Sequence, residues 1–171
     1  ETVQGNYTVT YTPGTFTITK AGTLELTAAL TGKAATKVYD GEALANGATP
    51  SVTEGTTVSY RTKTAEEGEW TEWTDEVPSR KDVGKLWIEA KAENSNYETK
   101  TVQYDLEVTP RPVTVAANNS GKTYGEADPE LTATVAGTLG EDTVAYDVAR
   151  AEGENVGTYE ITASGETVQG N

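Results

Sequence analysis

Apolar residues in this chain alternate with Thr, Ser or charged residues almost everywhere they cluster. Tyr7-Thr8-Val9-Thr10-Tyr11 puts two rings and Val on one parity and Thr on the other, and Thr15-Phe16-Thr17-Ile18-Thr19 repeats the scheme. Strict alternation marks a half-buried strand, because successive side chains leave a strand on opposite faces. Pro13-Gly14 between the runs is turn chemistry, since Pro presets φ and Gly accepts the left-handed region. The pattern predicts a hairpin whose buried face is Tyr7, Val9, Tyr11, Phe16 and Ile18. Further strands are predicted at Leu24–Leu30, Thr57–Thr62, Lys85–Ala92, Thr99–Val108, Val113–Ala117, Leu131–Val135, Val144–Val148 and Thr158–Thr162. Thr and Tyr suit such a pleated, half-buried surface. No window of helical length keeps a 3.6-residue period, and the charged run Thr64–Trp73 is interrupted by Gly and Thr. The chain reads as all-β.

Two repeats organise these strands. Glu1-Thr2-Val3-Gln4-Gly5-Asn6 returns unchanged as Glu166-Thr167-Val168-Gln169-Gly170-Asn171, 165 positions later. An identical hexapeptide at that spacing predicts one period of a tandem array with a six-residue overlap. A weaker repeat sits inside it. Lys37-Val38-Tyr39-Asp40-Gly41-Glu42-Ala43 answers Lys122-Thr123-Tyr124-Gly125-Glu126-Ala127, and Asp82–Ala90 answers Asn155–Ala163. Asn96-Tyr97 answers Asn6-Tyr7, each opening a long strand. These echoes predict a whole domain at 22–109 and a second domain cut in two, with its front in 110–171 and its closing hairpin in 1–21. The boundary is expected at Thr109–Pro112, because Pro110 and Pro112 lack the N–H a central ladder needs. Domains this small bury only about 60% of their unfolded surface, so neighbour contacts along an elongated array would matter to stability.

Composition narrows the function. Thirteen Lys and Arg against 27 Asp and Glu give a net charge of −14, which disfavours nucleic acid and anionic membrane surfaces as partners. No run approaches the roughly 18 apolar residues of a membrane span, so no membrane insertion is expected. The sequence has no Cys and no His, which removes thiolate and imidazole chemistry. No carboxylate pair stands in a recognisable catalytic arrangement, so an enzyme is not expected, nor a cofactor.

Lys122-Thr123-Tyr124-Gly125-Glu126-Ala127-Asp128-Pro129, with Arg150–Tyr159, resembles the MBG domain of the YGX type found in bacterial surface adhesins. Gly14–Ala21 resembles the way such domains finish. The 22–109 unit, with Lys37-Val38-Tyr39-Asp40-Gly41, is similar to YDG-type and bacterial immunoglobulin-like repeats, from which its Trp-rich insert departs. The resemblance implies two small sandwich-like β domains per period, immunoglobulin-like or β-grasp-like. It also implies an extracellular, cell-wall-anchored adhesin or stalk whose partners are neighbouring repeats, or a host or bacterial surface glycan or protein.

Two local constellations carry alternatives. Trp70 and Trp73, three apart and rimmed by Glu and Thr, would lie on opposite faces of a strand, one in the core and one exposed. An exposed Trp could stack on a sugar ring, which makes a glycan-binding module the second functional reading against scaffold packing of both rings. Trp87, between Leu86 and Ile88, reads as core. Acidic runs such as Glu66-Glu67-Gly68-Glu69, Glu126-Ala127-Asp128 and Glu152-Gly153-Glu154 lack the alternating ligand spacing of a calcium loop and read as solvated turns, with no metal. Finally, the cut domain predicts strand complementation. The 1–21 hairpin of one molecule would complete the 110–165 domain of another, head-to-tail or in a swapped dimer.

Overall fold

The structure, a computed structural model, describes residues 2–28 and 35–169. Positions 29 and 30 of the expected Leu24–Leu30 strand lie outside the described residues. The chain is all-β. In order, the strands are β1 (Thr2–Gln4), β2 (Tyr7–Val9), β3 (Leu26–Ala28), β4 (Thr36–Val38), β5 (Leu44–Ala45), β6 (Ala48–Pro50) and β7 (Thr56–Lys63). They continue as β8 (Ser79–Arg80), β9 (Gly84–Asn94), β10 (Tyr97–Thr109), β11 (Thr114–Ala117), β12 (Ala133–Ala136), β13 (Asp147–Arg150) and β14 (Ile161–Ser164).

The main sheet runs β4-β10-β9-β7. Its spine is the β9–β10 hairpin, closed over Ser95-Asn96, where the Asn94 side-chain oxygen accepts the Asn96 N–H at 2.9 Å. β10 is central: it pairs antiparallel with β9 and parallel with β4, so each long edge of the strand finds a partner. Leu106 and Val108 alternate along β10 and are 0% and 1% exposed. On the same face β9 contributes Leu86, Ile88, Ala90 and Ala92, and β7 contributes Tyr60. The β3–β6 ribbon covers this face with Leu24, Leu26 and Ala48, making a two-layer core. The Tyr60 hydroxyl satisfies its own buried oxygen by accepting the Ala48 N–H at 3.0 Å, and the Tyr104 hydroxyl donates to the Asn46 carbonyl at 2.8 Å. β10 ends at Thr109, and Pro110, Arg111 and Pro112 carry no strand.

Two expectations need correcting, and four short strands went unread. The hairpin of Tyr7–Tyr11 with Thr15–Thr19 does not form. Instead β2 pairs with β1 across Gly5-Asn6, with Gly5 at φ 60°, and residues 10–20 carry no strand. The tighter two-residue turn with Gly at its first central position matches strand twist better than a Pro-Gly loop does. Trp87 is not core: Leu86, Ile88 and Ala90 take the buried parity of β9, which sends Trp87 to the outer face with Lys85 and Glu89. The short strands β4, β5, β6 and β8 carry no alternation long enough to read, and each exists by pairing with a distant strand.

Beyond Thr109 the packing changes character. β11–β12 and β13–β14 are separate two-stranded ribbons, and among the described residues after Val108 none is fully buried. Stability should therefore be concentrated in 22–109. Replacing Leu106 with Ala is expected to cost about 2–5 kcal/mol, the usual range for emptying a closed core position. Urea denaturation followed by Trp fluorescence measures it, since Trp70, Trp73 and Trp87 all report on this unit. A cost under about 1 kcal/mol would show that β10 is not the strand around which the core closes.

Candidate functional site

The aromatic candidates lie on the outer face of the main sheet. After β7 the chain turns back along that strand's free edge, with Thr71 N–H donating to Thr62 O at 2.9 Å and Thr74 N–H to Tyr60 O at 2.8 Å. Between these contacts the returning segment advances three residues while β7 advances two. One extra residue of this kind is a bulge, and it reverses the parity of the residues beyond it. Trp70 and Trp73 consequently face the same side, not opposite sides as regular strand spacing implied. Both are half-buried against Arg61, whose guanidinium carbon lies 5.2 Å from the Trp70 ring centre and 4.8 Å from that of Trp73. Lys63 sits over Trp70 at 5.1 Å and Lys91 over Trp73 at 4.7 Å.

Arg61 is held from below by Glu89 of β9, with Nε to Oε2 at 2.6 Å, and Glu89 accepts a second bond from Gln103 of β10 at 3.0 Å. Burial pushes the Glu89 carboxyl up, but the bonds from Gln103 and Arg61 and the Arg61 charge outweigh it and hold it below its ordinary value. The ring faces that would stack on a sugar thus carry cations, and the cluster links three strands of the sheet across its outer face.

The acidic turns are engaged differently from free calcium ligands. Asp128 and Glu154 bracket two cations: Lys122 lies 2.7 Å from each, and Arg150 lies 2.7 Å from Asp128 and 2.6 Å from Glu154. The Arg150 and Lys122 hydrogen bonds hold the Asp128 carboxyl down at about 2. Among the described residues no group of three or more acidic side chains is disposed to hold a metal ion.

The complementation residues are solvent-facing. Tyr7 and Tyr11 are exposed and Val9 half-buried, while Phe16 and Ile18 are 89% and 85% exposed. In 113–169 a groove of about 420 Å³ opens between the 120–124 segment and the 155–161 segment, with the Asp128–Arg150 ion pair on its wall. Sequence reasoning singled out the apolar face of 7–18 but missed the groove, because nothing local marks Gly157-Thr158-Tyr159 as its wall.

The groove is lined by Lys122 and Tyr124 of the Lys122-Thr123-Tyr124-Gly125 run and by Val156-Gly157-Thr158-Tyr159. Residues 113–171 match the MBG domain of the YGX type. The recognition made from those motifs therefore stands for this MBG segment, and the match does not extend into 1–112. Neither the comparison with curated proteins nor that with solved structures finds a match to the chain.

Replacing Arg61 with Met should strip Glu89 of its main cation and cost about 1–3 kcal/mol at neutral pH, the range for orphaning a buried polar group. The sign with pH follows from the lowered Glu89 pKa. In the parent protein this contribution is present above the ordinary carboxyl pKa of 4.5 and lost as pH falls through the depressed folded value. The Arg61→Met variant should instead recover stability relative to the parent on acidification, as burial then outweighs the remaining Gln103 bond and raises the Glu89 pKa. Tm against pH from 3 to 8 checks this, and parallel curves for the two proteins would contradict it. Millimolar calcium and its chelation should each leave Tm unchanged, because Asp128 and Glu154 already hold Lys122 and Arg150.

Proposed function

We propose that the chain is a structural repeat module of a large bacterial cell-surface protein, a spacer that projects a binding region away from a cell wall to which the protein is anchored. The observation that carries this reading is the unchanged recurrence of Glu1–Asn6 at Glu166–Asn171, since a repeated segment that long is the mark of modules strung in series. The MBG match over 113–171 supports it, as does the acidic, cysteine-free composition suited to dense display in the open. The outer-face Trp cluster fits a scaffold role, because its cation–aromatic stacking and the Arg61–Glu89 pair tie β7, β9 and β10 together. A glycan site there would require Arg61, Lys63 or Lys91 to leave the rings.

Antibodies raised against 22–109 should label intact cells that make the protein, and external protease should release the epitope. Label appearing only after lysis would end the surface reading. Titration with mono- and oligosaccharides should leave Trp emission unchanged, whereas a saturable shift lost in the Trp73→Ala variant would favour the glycan module.

A further inference from the structure

The internal repeat becomes informative once the two units are laid over one another. In 22–109 the strand order β4-β10-β9-β7 contains a central member, β10, supplied by Tyr97–Thr109. In the MBG segment β11–β12 answers β3–β6, and β13–β14 answers β7–β9, in the same chain order. Lys122 answers Lys37 of β4, and Gly157 answers Gly84, the first residue of β9. No described strand of the MBG segment answers β10.

The absence is visible in its neighbours. β4 is a strand only through its pairing with β10, Glu107↔Thr36 to Thr109↔Val38. Its counterpart Gly121–Thr123 is not a strand. Gly84, Lys85 and Leu86 likewise pair with β10 alone, beyond the last β7 partner at Trp87. Their counterparts Gly157, Thr158 and Tyr159 carry no strand either, and β14 starts only at Ile161. The groove of about 420 Å³ is lined by these same residues, among them Gly121, Lys122, Gly157, Thr158, Tyr159 and Ile161.

The matching segment exists elsewhere in the chain. Carried forward without gaps from the Asn96-Tyr97 and Asn6-Tyr7 match, Leu106 falls on Phe16 and Val108 on Ile18. The pairs share one alternation and opposite burial, 0% and 1% exposed against 89% and 85%. We infer that Thr15–Thr19 of a second copy of this sequence fills the groove as the missing central strand, antiparallel to Gly157–Ile161 and parallel to Gly121–Thr123. The register is that of β10: Phe16 opposite Tyr159, Thr17 opposite Thr158, Ile18 opposite Gly157 and beside Lys122. Pro13 sets the start of the strand, having no N–H for the ladder. The inserted unit is the single strand 15–19, which replaces the hairpin expected from sequence.

The chain's own 15–19 segment does not reach this groove. Ala21 N–H is bonded to Asn96 O at 2.8 Å, at the start of β10, whereas the MBG segment continues from Thr109 at its far end. Thirteen residues of strand span about 40 Å, and the six residues from Thr15 to Ala21 stretch about 20 Å at most. The donor is therefore another copy, either in series within one array or in a separate molecule.

This inference deepens the repeat-module reading but rests on the internal repeat and the groove, so failure of surface labelling would leave it standing. With no native Cys, the double variant Thr17→Cys/Thr158→Cys gives a clean trap, since directly opposed strand residues lie within disulfide reach. Mild oxidation should give reducible dimers and longer ladders. Each single variant, and Thr17→Cys paired with Thr138→Cys, should give at most dimers at a much lower yield. The Phe16→Asp/Ile18→Asp variant should lose the rise of weight-average mass with concentration that the parent shows in sedimentation, while its Trp emission keeps that of a folded 22–109. Absence of the cross-link, an intrachain cross-link, or a parent that stays monomeric up to near-millimolar concentration would each overturn the inference.

Discussion

Everything in the folded unit depends on β10 having a partner on each side and a cover on one face. A central strand loses its backbone hydrogen bonds and its apolar face together if either condition fails, and both are expensive to leave unmet. Leu106 and Val108 are dry because β4, β9 and the β3–β6 ribbon surround them. The short strand β4 is ordered because β10 gives it something to pair with, and β9 begins as early as Gly84 for the same reason. One strand thus organises two neighbours that have little strand character of their own there.

The MBG segment illustrates the converse. Its two ribbons carry the same order of elements and a similar alternation, yet none of its described side chains is fully buried and the stretches beside the open groove stay irregular. Its order comes from ion pairs instead, the Lys122–Asp128–Arg150–Glu154 square, and from local docking such as the Gln169 amide bonded to both the N–H and the carbonyl of Ala145. Exposed ion pairs contribute little each and weaken with salt, so they do not substitute for a closed core. Thr2–Gln4 is strand through its pairing with Tyr7–Val9, whereas the same residue types at Val168 and Gln169 carry no strand, and Gln169 docks on Ala145.

Strand existence was legible wherever alternation ran long, as in β7, β9 and β10, because burying one face of a sheet imposes period two on the sequence. The parity of that face was harder to read. Leu86-Trp87-Ile88 offers two candidate faces, and only the small Ala90 and Ala92, packed under the second layer, decide that Trp87 points out. Trp70 and Trp73 defeated the same logic because a single bulged residue, set by pairing with β7, restores them to one side. The ionic square was hidden for a different reason: Asp128, Glu154, Lys122 and Arg150 lie far apart in sequence, and their meeting is a property of the two ribbons. Phe16 and Ile18 were readable as one apolar face, and their exposure is the observation from which the strand-complementation proposal starts.

The central claim is that Thr15–Thr19 is strand when a preceding MBG segment is present and irregular when it is not. A chain carrying two successive periods tests this directly by amide hydrogen exchange. The account predicts that residues 15–19 of the second period exchange as slowly as β10, together with Gly157–Ile161 of the first, while 15–19 of the first period exchange at the rate of an open chain. Equal, fast exchange at both positions would contradict it.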